Sequence, residues 1–164
     1  MFGESISSYL RFIRLPWLLF LIAAAGRLVL GTMDVPYSKG TWFFSIVTLT
    51  FHLCIVYGAL SKKLRGYRLP QALVLGILIA LSAQVIILVL TVASYALNAE
   101  TYFNHPLAIA GTTEYIPFGE ALKARLLGLV ENSLMGGNAS LLGWLAGGLI
   151  PGSVDGGAST NKKP

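Results

Sequence analysis

A few strongly polar side chains stand inside otherwise apolar stretches of this sequence, and they are the residues whose types could do chemistry. They are Arg27, His52, Gln84, Glu131 and Asn132. Such groups cost free energy in an apolar environment, so each needs a partner, a water-filled cavity or a function. One interpretation is a polar path for a proton, an ion or a polar ligand. The favoured interpretation is a set of hydrogen bonds between helices, each worth about 0.6–2 kcal/mol.

The two charged members of this set are predicted to form an ion pair. Arg27 lies before a loop boundary at Asp34, and Glu131 lies after one at Lys123. Because an α-helix rises about 1.5 Å per residue, both charges lie roughly 10–12 Å from those boundaries. We therefore expect a direct or water-bridged pair of Arg27 and Glu131. The alternative is that Arg27 extends to lipid headgroups and Glu131 is protonated or faces water.

The sequence offers little for other chemistry. Haem ligation by His52 would need a second histidine at the same depth, and His105 lies in a connecting loop. The loop residues Glu100, His105, Glu114 and Glu120 carry donor atoms for a divalent metal, but their spacing matches no known ligand pattern. Walker, G-x-S-x-G, H-E-x-x-H and C-x-x-C motifs do not occur in the sequence. The sequence therefore predicts no catalytic residue, no cofactor and no metal site.

The apolar segments that must position these residues are long enough to cross a membrane. Of 164 residues, 55% are hydrophobic and 12% are charged, about half the charged share of a soluble domain. The longest uncharged segment, 70–97, would extend roughly 42 Å as a helix, against about 30 Å of bilayer hydrocarbon. Three other apolar segments cover about 15–33, 41–60 and 123–150. The sequence predicts an all-α integral membrane protein with four transmembrane helices in an antiparallel bundle.

The remaining segments complete the predicted organisation. Residues 1–14 predict a short interfacial helix, with a signal peptide cleaved near 23–25 as the alternative. Residues 98–122 form the predicted outer loop, and 152–164 form a disordered cytoplasmic tail. The span 123–150 is the weakest because six glycines lie in it. If it does not cross, the C-terminus lies on the other side.

Basic residues predict the orientation of the spans. A cluster precedes the third span and consists of Lys62, Lys63, Arg65 and Arg68. With four spans, the side that holds both termini carries eight Lys and Arg residues against three on the other side. The positive-inside rule then places both termini in the cytoplasm. The net charge of +5 thus indicates anionic lipid headgroups and no nucleic acid, as in a protein of a bacterial cytoplasmic membrane.

Small residues at four-residue spacing predict where helices pack. They are Ala72, Gly76 and Ala80 in the third span and Ala139, Gly143 and Gly147 in the fourth. Such stripes let helix backbones approach closely. The partner helix could belong to the same chain, to another membrane protein or to a second copy.

These features favour a non-catalytic accessory or assembly subunit of a membrane complex. Its expected partners are the lipid bilayer and either another membrane protein or a second copy of the chain. The alternative is a small oligomeric transporter or channel, with a polar path formed by Arg27, His52, Gln84 and Glu131. An enzyme using His105 with loop carboxylates ranks last, because no acid–base arrangement is visible from the spacing.

Overall fold

The protein is an all-helical bundle. The structure is a computed structural model that describes residues 5–149, and this range contains no strand. Its helices are α1 Ile6–Phe12, α2 Arg14–Thr32, α3 Tyr37–Gly40, α4 Ile46–Arg65, α5 Leu69–Ala96, α6 Pro106–Ile109 and α7 Phe118–Leu149. The four long helices α2, α4, α5 and α7 correspond to the four predicted apolar segments. The predicted tail and the first four residues of the predicted interfacial helix lie outside the described range.

Two of the four long helices are long and apolar enough to cross a membrane. They are α2 and α5. Helix α4 includes the basic residues Lys62, Lys63 and Arg65, and α7 includes several charged residues in its first four turns. The lysines lower the mean hydropathy of α4. In α7 the glycines and asparagines also lower it, because even residues 132–149, which contain no Asp, Glu, Lys or Arg, do not reach the hydropathy of a membrane span.

The second predicted span differs from the observed helix at both ends. Helix α4 begins at Ile46 rather than near Thr41, because Ser45 is its N-cap and accepts a hydrogen bond from the Thr48 N–H at 3.3 Å. The helix continues through the basic cluster and ends at Gly66, whose φ of 61° is left-handed. A left-handed glycine is the usual end of a helix, since it has no Cβ to clash with the backbone. The short turn then leads directly into α5.

Helix α7 packs against α4 and α5 with its small residues. A Cβ added at Gly143 would collide with the Ile55 carbonyl on α4, and one added at Gly76 would collide with α7. Ser140 donates a hydrogen bond of 2.7 Å to the Ala72 carbonyl on α5. The stripe in the fourth span therefore faces α4 at Gly143, while α5 meets the neighbouring face of α7. The contacts lie within the chain.

The N-terminal helix packs onto the end of the bundle that carries the basic cluster. Tyr9 is buried, and its ring centroid lies 5.4 Å from that of Tyr67. Phe12 packs edge-on against Tyr57, and the Arg65 guanidinium lies 5.3 Å from the centre of the Phe12 ring. Helix α1 is thus part of the packed structure and covers this end of it.

Candidate functional site: an arginine-lined cavity

Two arginines meet at the other end of the bundle. Arg27 lies near the end of α2, and Arg125 lies in the second turn of α7. Both line a cavity of about 250 Å³, which also has four hydroxyl side chains in its wall: Tyr37, Thr41, Ser45 and Thr48. No Asp or Glu of the described residues lines it. We call this space the arginine cavity.

Arg27 is buried without a hydrogen-bond acceptor. Its side chain is 8% exposed, and its guanidinium carbon lies 5.6–5.7 Å from the ring centres of Tyr37, Tyr102 and Phe103. Within residues 5–149 this guanidinium makes no hydrogen bond and no ion pair. The aromatic faces stabilise its charge by cation–π attraction. Its five N–H donors remain available to a ligand in the cavity.

Arg125 is held in place by neutral acceptors. Its Nε donates to Thr91 Oγ1 at 3.1 Å, and its two terminal nitrogens donate to the carbonyls of Ala108 at 3.1 Å and Phe103 at 2.9 Å. These bonds fix the side chain beside the cavity. Carbonyl and hydroxyl oxygens carry no net charge, so the positive charge of Arg125 is not neutralised by them.

The N-terminus of α4 adds a third source of positive potential. Ile46 and Val47, the first two residues of the helix, line the arginine cavity together with its N-cap Ser45. The first N–H groups of a helix have no partner within it, and the helix dipole places a partial positive charge there. Two guanidinium groups and a helix N-terminus therefore converge on one cavity.

The connection between α5 and α7 forms part of the wall of the arginine cavity through Phe103. Tyr102 and Phe103 are 2% and 1% exposed. The Tyr102 hydroxyl donates to the Val35 carbonyl at 2.7 Å, which ties this connection to the turn after α2. The predicted outer loop is thus folded onto the bundle at its aromatic residues, whereas its acids Glu100 and Glu114 are exposed.

The predicted pair of Arg27 and Glu131 is not formed as a direct contact. Glu131 is exposed on α7, and no described acid contacts Arg27. The estimate of depth placed both charges at similar levels, but depth does not determine which way a side chain points around its helix. Arg27 points toward the aromatic residues of the α5–α7 connection, and Glu131 points to the outside of the bundle.

The uncharged members of the predicted set lie in two other places. Gln84 and Asn132 line a space of about 40 Å³ between α4, α5 and α7. The buried Gln84 amide nitrogen has no hydrogen-bond acceptor, and Asn132 donates to the Gly128 carbonyl at 2.7 Å. His52 is exposed, with its Nδ1 2.8 Å from the Thr48 carbonyl oxygen. Among residues 5–149, His52 lines one cavity, Arg27 a second, and Gln84 and Asn132 a third.

His105 packs beside the arginine cavity without being part of it. Its ring stacks on Tyr37, with centroids 4.8 Å apart and planes 13° from parallel. Nδ1 accepts the Leu107 N–H at 3.2 Å, and burial lowers the pKa of the imidazole. Among residues 5–149 no group of three His, Cys, Asp or Glu side chains is placed to hold a metal ion.

Sequence reasoning identified Arg27 but not the rest of the cavity. From the sequence, Arg125 is only one of the three basic residues on the predicted outer side, with Lys39 and Lys123, and no pattern distinguishes the hydroxyl residues of the cavity. One signal was present: Tyr102 and Phe103 are adjacent aromatic residues in a connection of otherwise mixed composition.

The arrangement is suited to binding an anion. Guanidinium groups and helix N-termini are the usual partners of phosphate and carboxylate oxygens. The hydroxyl groups in the wall can donate or accept further hydrogen bonds. No protein-family model, curated protein or solved structure matches the chain.

Proposed function

We propose that this protein is a non-catalytic, multi-pass membrane protein that binds an anionic ligand in the arginine cavity. The observation that carries the proposal is the buried Arg27 guanidinium, which faces the cavity with no described acceptor. A buried charge without a partner is costly. An anion would supply both the missing acceptors and the missing negative charge, through charge-assisted hydrogen bonds.

The proposal includes four membrane crossings with both termini in the cytoplasm. Helices α2 and α5 have the length and hydropathy of membrane spans. Helix α4 has 20 residues and α7 has 32, so at about 1.5 Å per residue each is long enough to cross about 30 Å of hydrocarbon. Their outward faces expose large apolar residues such as Phe51 and Val56 on α4 and Val130 and Leu134 on α7.

The basic cluster and the arginine cavity would then face opposite sides of the membrane. The cluster lies in the last turn of α4 and the turn that follows it, and the cavity lies at the beginning of α4. By the positive-inside rule the cluster is cytoplasmic, which places the cavity at the outer side. Cysteine labelling in intact cells tests this orientation: a cysteine at the exposed Tyr115 should react with an impermeant reagent, and one at the exposed Arg68 should not. The reverse pattern would contradict the proposed orientation.

An anion-binding protein could also be an accessory or assembly subunit of a membrane complex. We include this subunit role in the proposal. Its partners would be the bilayer and a membrane protein or a second copy. The transporter alternative has less support, because in the part of the chain that the structure describes Arg27, His52 and Gln84 line three different cavities and Glu131 is exposed. A binding protein needs only the arginine cavity.

Anion binding can be measured on the protein purified in mild detergent. We expect inorganic phosphate or pyrophosphate to raise Tm, because a ligand that binds only the folded state stabilises it, by about 2.7 kcal/mol at a concentration of 100 Kd. The variant Arg27→Gln should lose this response, and Arg27→Lys should retain part of it because it keeps the charge. Arg68→Gln is the matched control, since Arg68 is exposed at the opposite end. Equal anion responses in Arg27→Gln and Arg68→Gln would refute the proposal.

A further inference from the structure

A second cavity adjoins the arginine cavity on the surface of the bundle. It has a volume of about 370 Å³ and lies between α2 and α4. Its wall is mainly apolar and is formed by Leu19, Ile22 and Ala23 of α2, by the aromatic residues that precede α4, and by Leu49 and His52 of α4. We call it the apolar groove.

The apolar groove and the arginine cavity share part of their walls. Ser45 and Thr48 line both. These two side chains are hydrogen-bonded to each other, with their oxygens 2.9 Å apart. A ligand with a polar part in the arginine cavity could therefore continue past them into the groove.

Polarity changes in the same direction along both helices. On α2, Arg27 lines the arginine cavity, and Ile22 and Leu19 line the groove one to two turns earlier. On α4, the N-cap Ser45 lies at the cavity and Leu49 lies one turn deeper in the groove, with the exposed His52 at the groove's far edge. Eight residues of helix separate Arg27 from Leu19, or about 12 Å. Charge at the end of the bundle and apolar surface toward its middle match the two parts of a lipid.

Aromatic residues mark the level at which the two cavities meet. Trp42 and Phe43 line the groove and are 85% and 80% exposed. Trp and other aromatic side chains are enriched where the hydrocarbon of a bilayer meets the headgroups. This places the arginine cavity at headgroup level and the groove at the level of the chains.

We infer that the ligand is an anionic lipid, with its phosphate in the arginine cavity and one hydrocarbon chain in the apolar groove. This inference rests on the proposed anion-binding function and adds the class of ligand. The guanidinium groups of Arg27 and Arg125 and the α4 N-terminus bind the phosphate. Ile22, Leu49 and the other groove residues contact the chain, which reaches the groove from the surrounding bilayer.

The test compares three ligands on the full chain in mild detergent: phosphatidic acid, phosphatidylcholine and inorganic phosphate. Native mass spectrometry counts retained lipid, and Tm reports binding of each ligand. We expect at least about tenfold tighter binding of phosphatidic acid than of phosphatidylcholine, since the choline group removes net charge and blocks the phosphate. Equal binding of the two lipids would overturn the inference.

Two surface variants distinguish binding of the lipid's hydrocarbon chain from binding of its headgroup. Ile22→Trp should fill the groove and reduce retention of phosphatidic acid by about tenfold, with the Tm response to inorganic phosphate unchanged. Leu21→Trp is the control, because Leu21 is equally exposed on α2 (53%, against 54% for Ile22) but does not line the groove.

Two failures are distinguishable. If Ile22→Trp retains phosphatidic acid as well as Leu21→Trp does, while phosphate still raises Tm, the lipid inference is wrong and the anion site stands. If neither phosphate nor phosphatidic acid raises Tm, the proposed function itself is wrong.

Discussion

The two ends of the bundle both carry basic residues, but those residues lie in different surroundings. At one end, Arg65 and Arg68 are exposed, and Lys62 lies 3.8 Å from the centre of the Trp144 ring at the surface. At the other end, Arg27 is 8% exposed under the aromatic residues of the α5–α7 connection. Exposed cations are hydrated and contribute little to stability. The same charge on a buried side chain has lost most of its contact with water, so an anion or strong neutral partners would stabilise it.

The number of basic residues at one end of a bundle therefore does not by itself indicate their role. The exposed cluster is suited to lipid headgroups, whose contacts are many and interchangeable. The arginine cavity offers a small number of N–H donors, from two guanidinium groups that line one cavity. Substitutions of basic residues at the two ends should therefore change the free energy of unfolding by different amounts.

The largest effect is expected where α7 connects the two ends. Gly143→Leu should lower the free energy of unfolding by about 3 kcal/mol or more, because the added side chain collides with the α4 backbone at Ile55. Gly128→Ala is the control: an added Cβ would only touch the Asn132 amide nitrogen at 3.5 Å, and alanine favours a helix by about 0.5–1 kcal/mol. Thermal unfolding in detergent measures both. Similar Tm values for the two variants would contradict the close packing of α7.

The next effect is expected at Arg125. Arg125→Gln should lower the free energy of unfolding by about 2–3 kcal/mol, because the carbonyls of Phe103 and Ala108 lose their donors. Arg65→Gln at the exposed end should change it by about 0.5 kcal/mol or less. Tm values and limited proteolysis of the α5–α7 connection measure the difference. If Arg65→Gln destabilises as much as Arg125→Gln, the two ends are not distinct.

A smaller effect is expected from two buried tyrosines. Tyr102→Phe removes the hydrogen bond to the Val35 carbonyl and should cost about 1 kcal/mol. Tyr67→Phe at the basic end should be neutral or slightly stabilising, because the Tyr67 hydroxyl is buried without an acceptor. Unfolding measurements on both variants test this. A larger loss of stability in Tyr67→Phe than in Tyr102→Phe would contradict the hydrogen bond assigned to Tyr102.

The smallest effect is expected from pH. Because burial lowers the pKa of His105 below its ordinary 6.5, the unfolded chain binds the proton more readily than the folded one. Stability is therefore full above about pH 6.5 and falls as the pH drops toward the folded pKa. We expect His105→Gln to reduce the fall in Tm between pH 7 and 5.5, and an equal fall in the variant and the unmodified protein would contradict this. The acidic residues near His105 are Asp34 and Glu100, which line the same surface cavity as His105 and are exposed.

Much of the helical organisation was predictable from local patterns. The predicted spans 15–33 and 70–97 differ by one residue at each end from α2 at Arg14–Thr32 and α5 at Leu69–Ala96. Continuous apolar runs bounded by charges and by Pro70 mark such helices clearly. The start of α4 was less predictable, because Trp42, Phe43 and Phe44 extend the apolar run beyond the cap at Ser45. Hydropathy does not distinguish an aromatic connection from a helix.

The sequence by itself determined the long apolar helices, the small-residue stripes and the presence of a costly arginine at position 27. These depend on composition and spacing along one segment. The surroundings of these residues depend on the tertiary structure: Arg27 lies against three aromatic rings and lines a cavity together with Arg125, while Glu131 is exposed. The physical reason is that a partner is set by how helices are rotated and how the connections fold. That depends on close packing of α7 against α4 and α5, a property of side chains far apart in the sequence.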